Sequence, residues 1–169
     1  MNPLVSVIMG STSDLPIMEK AAKQLNEMEV PFELIALSAH RTPKDVADFA
    51  TQAEERGVRV IIAAAGMAAH LPGVIASMTI LPVIGVPIKS SVEGIDALLS
   101  IVQMPPGIPV ATVGINAAQN AALLACQILS ESNPNIASRM AAYKESLKNK
   151  IRKSNDDLSQ IKDYKIKTN

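Results

Sequence analysis

The chain has 2 histidines, and their neighbours differ in what chemistry they allow. His40 lies in SAHRTP, residues 38–43, beside Arg41, the only Lys or Arg between Lys23 and Lys44. A histidine can move protons near neutral pH, and an arginine fork next to it can hold a phosphate. A structural alternative pairs Arg41 with Asp14 or Asp45 and uses His40 as a helix cap. His70 lies in AGMAAHLPG, residues 65–73, a stretch of small residues that lets backbone approach a ligand closely. As a lone titratable group in an apolar run it reads as a hydrogen-bonded wall residue, with Gly66, Ala68 and Leu71 as the rest of that wall. A third segment, GSTSD, supplies Gly10, Ser11, Ser13 and Asp14 ahead of a helix. Hydroxyls at a helix start suit an anion such as phosphate, although these are also ordinary turn and cap residues.

Several alternatives lack their parts. No GxGxxG follows the first apolar run and no GxxxxGK[ST] occurs, which argues against dinucleotide and P-loop nucleotide sites. A phosphoacceptor signalling domain would need clustered acids near the first strand, where Asp14 stands alone. The sequence offers no metal-ligand cluster, and 2% aromatic content, with no Trp, leaves little to cover a flavin or stack a base. The single Cys126, inside NAALLACQIL, reads as a buried structural thiol.

These three polar segments must be held by regular elements. Residues 5–9 (VSVIM) form an apolar, β-branched run that reads as a buried strand, and residues 15–28 carry Ile17, Ala21, Leu25 and Met28 on one helix face, with Ser13 or Asp14 as cap. The alternation continues: strand 32–37, a helix capped by Thr42 with Pro43 in its first turn, strand 58–63, helix 71–78, strand 82–86, helix 95–102, strand 110–112 and helix 117–129. Five βα units imply a doubly wound parallel α/β sheet with helices on both faces, and ligands of such sheets bind beyond the carboxyl ends of the strands. Residues 1–132 are then a catalytic α/β domain. Residues 133–169 carry Ile136, Met140, Tyr143, Leu147, Ile151, Leu158 and Ile161 at helical spacing, which predicts one long helix to about residue 163 and a frayed basic end. That helix belongs to the same domain or packs on a neighbouring subunit.

Charge is distributed unevenly along these elements. Over 169 residues 16 basic side chains balance 16 acidic ones, which excludes a basic nucleic-acid binder. Residues 1–130 hold 7 basic and 11 acidic groups, whereas 131–169 hold 9 and 5. Between residues 60 and 130 only Lys89, Glu93 and Asp96 are charged. A buried central sheet explains part of this, and subunit contacts explain the remainder. A membrane span over residues 60–88 is rejected because His70, Pro72, Pro82 and Pro87 divide the stretch. With no signal-like basic segment before Val5, the expected location is cytoplasmic.

GSTSD, LSAHRTP, AGMAAHLPG, LPVIGVP, DALLSIVQMPPGIPVAT and NAALLACQIL, in this order, resemble the bacterial 5-(carboxyamino)imidazole ribonucleotide mutases of purine biosynthesis. The resemblance covers about residues 4–130, and its AAHLPG form resembles the mutase branch rather than the sibling carboxylases that use carbon dioxide directly. It implies a flavodoxin-like three-layer fold, a homo-octamer with sites built from neighbouring subunits, and chemistry without ATP, metal or organic cofactor. It further implies His40 as general acid and base, Asp14 at ribose hydroxyls, Arg41 at phosphate, Ser11 as a substrate contact, and Ser13 and Ser38 as further phosphate donors. Two features depart from the family pattern: Met67 stands where a glycine is common, and VGINAAQNAALLA is about two residues shorter. A rival from another class is a non-catalytic nucleotide-binding module of the same fold, against which the retained SAHRTP argues.

Overall fold

The structure is a computed structural model and describes residues 2–168; Asn169, the last residue of the expected frayed tail, lies outside them. Strands β1 (Val5–Met9), β2 (Phe32–Ala36), β3 (Val60–Gly66), β4 (Val83–Ile88) and β5 (Ala111–Thr112) form one parallel sheet in the order β2-β1-β3-β4-β5. Helices α1 (Leu15–Glu27), α2 (Pro43–Gln52), α3 (Leu71–Ala76), α4 (Ile95–Val102) and α5 (Ala118–Ser130) connect and follow the strands, and α6 (Pro134–Ser159) ends the fold. This is the doubly wound parallel arrangement expected from five βα units, and the flavodoxin-like fold that the family resemblance implies.

Side chains that alternate along each strand separate the core into two layers. Val5, Val7, Met9, Val60, Ile62 and Ala64 face α1 and α5, where Met18, Ala21, Leu25, Ala122 and Cys126 complete one cluster. Ile8, Ile61, Ala63 and Val83 face the opposite way, onto Val46 and Phe49 of α2, Ile75 of α3 and Ile101 of α4. The central strands are thus buried on both faces, which accounts for their unbroken apolar runs. Burial pushes the Cys126 thiol up to about 11, as suits an inert packing residue. Gly85 has a packing reason: a Cβ there would stand 2.3 Å from Cγ2 of Ile101, so α4 lies against bare backbone.

Most boundaries lie within two residues of expectation, and two differ by more. Residues 64–66, read as loop because alanine and glycine disfavour strands, extend β3, since β4 supplies a ladder as far as the pair Gly66 and Ile88. The last helix stops at Ser159 rather than near residue 163, and residues 161–168 are irregular. Only the start of α6 joins the core, through Ile136 and Met140. Beyond Tyr143, Leu147, Ile151 and Leu158 are exposed on a helix of 26 residues, about 39 Å long. The charge-poor middle also has two fates: β3 and β4 are buried, whereas Ile95, Leu99 and Val102 leave an apolar stripe exposed along α4. Among the described residues no helix is long and apolar enough to cross a membrane.

Candidate active site

The strand order reverses between β1 and β3, and a cavity of about 430 Å3 opens there, beyond the carboxyl ends of β1, β2, β3 and β4. The three polar segments converge on it. Ser11, Ser13 and Asp14 come from the loop after β1; Ser38, His40 and Arg41 come from the loop after β2; Gly66, His70 and Leu71 come from the end of β3 and the start of α3. A larger hollow of about 890 Å3, near Ile80, Pro82 and Pro109, contains neither His nor Arg. The smaller cavity, which gathers both histidines and Arg41, is therefore the candidate site.

The first loop winds a 3-10 turn over Thr12–Asp14, capped by Ser11, whose Oγ accepts from the Ser13 amide at 3.4 Å. Asp14 occupies the N-cap of α1, but its carboxylate makes no capping bond. Pro16, at the second helical position, has no N–H to offer it. The carboxylate is instead half-buried at the cavity, where it accepts a 3.3 Å bond from Ser13 Oγ. Desolvation raises its pKa above the ordinary value, against the lowering effect of that hydrogen bond.

In the second loop Ser38 Oγ accepts from the Arg41 backbone amide at 3.2 Å and from Arg41 Nε at 3.3 Å. Arg41 Nη2 donates to the Gly10 carbonyl at 2.9 Å, which ties this loop to the first. Among the described residues Arg41 has no carboxylate partner, so the pairing with Asp14 or Asp45 does not occur. Its remaining N–H groups are available to an anion. Thr42 stands at the N-cap of α2 without capping it, because its hydroxyl turns back to Ser38.

His40 caps no helix in this arrangement. Its Nε2 lies 2.7 Å from Nδ1 of His70, with the two rings edge to face at 83°. His70 is therefore a hydrogen-bonded wall residue, as the sequence indicated, and its partner is the other histidine. Between Gly66 and His70 the chain makes a tight turn in which the Ala69 amide donates to the Gly66 carbonyl at 3.0 Å. Met67 and Ala69 adopt left-handed φ values of 55° and 41°. That turn corrects one residue of the expected wall: Ala68, at its corner, is exposed and outside the cavity lining, and Met67 and Ala69 line it instead.

Sequence reasoning missed Ile88 and Ser90, which close the cavity from the end of β4. Their participation follows from β4 lying beside β3 in the sheet, and sequence gives no direct sign of that adjacency. An available signal was the polar run Lys89, Ser90 and Ser91 directly after an apolar strand.

Residues 4–150 match the AIR carboxylase family. The chain is 60% identical over 147 residues to the N5-carboxyaminoimidazole ribonucleotide mutase of Pyrococcus abyssi, covering 86% of this chain and 84% of that protein. It is 52% identical over 161 residues to the phosphoribosylaminoimidazole carboxylase of Schizosaccharomyces pombe, covering 95% of this chain and 29% of that longer protein. The fold superposes on the crystal structure of Treponema denticola PurE with a TM-score of 0.85 and 33% identity, covering 94% of this chain and 99% of that one. On sequence match and on fold, the chain belongs to the AIR carboxylase family.

Proposed function

We propose that the chain is a cofactor-free mutase. It moves the carboxylate of 5-(carboxyamino)imidazole ribonucleotide from the exocyclic nitrogen to carbon 4 of the imidazole, in purine biosynthesis. The observation that carries this reading is the meeting, in one cavity, of a histidine pair and an arginine without a carboxylate partner. A ribonucleotide supplies a phosphate for the arginine, hydroxyls for Asp14 and a base for the histidine.

Arg41 holds the phosphate, with Ser11, Ser13 and Ser38 as neighbouring donors. Asp14 accepts from ribose hydroxyls. Their placement leaves the imidazole toward His40 and the small-residue wall of Gly66, Ala69 and Leu71. His40 gives a proton to the exocyclic nitrogen as the N–C bond of the carbamate breaks and carbon dioxide leaves. Carbon 4 then attacks the retained carbon dioxide, the new C–C bond forms, and His40 takes the ring proton that must depart. One group thus serves as acid and then as base, and no proton is gained or lost over the cycle. The hydrogen bond between His40 and His70 holds the orientation of the His40 ring, which a two-step proton carrier requires. The apolar wall keeps water from the intermediate.

The sibling reaction, direct carboxylation of the aminoimidazole ribonucleotide, would use the same site. It is separated by supplying that nucleotide with bicarbonate at low concentration. A mutase yields little product under those conditions and turns over the carbamate nucleotide rapidly. The assembly is a homo-oligomer, an octamer by resemblance, in a cytoplasmic enzyme. The exposed apolar residues of α4 and of the second half of α6 support burial against other subunits.

A further inference from the structure

Thr42 holds the position where a helix-capping hydroxyl is expected: it follows a loop, precedes Pro43, and stands at the N-cap of α2. Its hydroxyl makes no capping bond there. It accepts from the Ser38 amide at 3.0 Å and aligns with the Ser38 carbonyl at 3.2 Å, to which it donates. The Thr42 amide also donates to that carbonyl, at 2.8 Å. One side chain thus satisfies both polar groups of the Ser38 backbone and closes the five-residue turn that carries His40 and Arg41.

This closure reaches the cavity through Ser38. Its Oγ accepts from both the amide and Nε of Arg41, so the rotation of Ser38 sets where the guanidinium lies. Only the Gly10 carbonyl holds the other end of Arg41. Without the Thr42 hydroxyl, the Ser38 amide would lose its partner and turn toward water, and the Ser38 carbonyl would be held by the Thr42 amide alone. The arginine would then lose the fixed geometry that two-point recognition of an anion needs.

We infer that Thr42 is a positioning residue for anion binding: its hydroxyl is diverted from capping α2 in order to lock Ser38, and through Ser38 it aims Arg41. The inference rests on the proposed phosphate contact of Arg41. A residue serving only α2 would change stability and leave affinity alone, so the two roles are separable.

The test is the affinity of the full-length protein for ribose 5-phosphate, measured by titration calorimetry on wild type, Thr42→Val, Thr42→Ala, Thr42→Ser and Arg41→Ala, with melting temperatures in parallel. The inference expects Thr42→Val and Thr42→Ala to weaken binding about tenfold while folded, and Thr42→Ser to stay within about twofold of wild type. Should Thr42→Val fold poorly, Thr42→Ala removes the same hydroxyl without its β-branch. Unchanged affinity in both, alongside weak binding in Arg41→Ala, overturns the positioning role and leaves the phosphate contact standing. Equal loss in Thr42→Ser also overturns it, because the hydroxyl would not be the group responsible. No binding by wild type, or full binding by Arg41→Ala, overturns the phosphate contact and this inference with it.

Discussion

Nε2 of His40 and Nδ1 of His70 lie 2.7 Å apart, the separation of a hydrogen bond that shares one proton between two rings. The loop after β2 and the turn after β3 are joined at that contact, so the His40 ring is oriented from outside its own loop. On the proposed mechanism, replacing His40 removes the proton carrier and leaves the phosphate and ribose contacts in place. His40→Gln is expected to lower kcat at least 100-fold while retaining nucleotide affinity within about threefold. Stopped-flow or coupled assays with a parallel binding titration measure both, and near-normal turnover would exclude His40 as the proton carrier.

Arg41 should act on binding more than on chemistry. Losing a charge-assisted contact to phosphate costs about 1.5–3 kcal/mol, so Arg41→Ala should raise KM about 10- to 100-fold with a much smaller change in kcat. An unchanged KM in steady-state kinetics would mean that no phosphate sits at this guanidinium.

Asp14 gives a pH signature whose sign follows from its environment. Burial raises its folded pKa above the ordinary 3.8, so the charged form at neutral pH opposes folding. That cost fades as pH falls through the raised value toward 3.8. Asp14→Asn should therefore be more stable than wild type at pH 7 and lose its advantage near pH 4, although it binds nucleotide more weakly. Denaturant melts at the two pH values decide this. A variant less stable at pH 7 would show that ionised Asp14 supports the fold.

Met67 stands at φ 55°, a left-handed conformation that costs a side-chain-bearing residue about 1 kcal/mol, and it is exposed at the cavity edge. Met67→Gly should stabilise the protein by about 0.5 kcal/mol after the added freedom of the unfolded glycine is set against the relief. Calorimetry should register this as a rise of about 1–2 °C in Tm, whereas a fall would show that the Met67 side chain contributes packing worth more than the strain. A glycine, which the family resemblance leads one to expect at this position, would meet a left-handed backbone there without that cost.

The central strands β1, β3 and β4 were legible from sequence because burial on both faces leaves largely apolar runs. His40 and Arg41 were legible because they are rare residue types beside each other. The contact between His40 and His70 was not, since residues 30 apart in sequence meet only through the β2-β1-β3 order. The side-chain caps that sequence offers at Thr42 and Asp14 are not made, for one shared reason. Both have the right type and place for a helix cap, and only the structure reveals that their oxygens are turned to other partners.

Assembly is tested by sedimentation. The apolar residues of α6 beyond Tyr143 are exposed in a single chain, and a homo-octamer would bury them. Ile151→Asp should shift the sedimentation profile toward smaller species. A wild-type monomer at micromolar concentration would refute the assembly.

The central claim is that this cavity isomerises a carbamate nucleotide with His40 as its single proton carrier, and with neither ATP nor metal. The direct measurement supplies purified protein with 5-(carboxyamino)imidazole ribonucleotide, in the presence of a chelator and without ATP, and follows formation of the 4-carboxy product. The account predicts rapid conversion by wild type and loss of conversion in His40→Gln. Conversion that survives in His40→Gln, or a wild type that forms product only from the aminoimidazole nucleotide and bicarbonate, would contradict it.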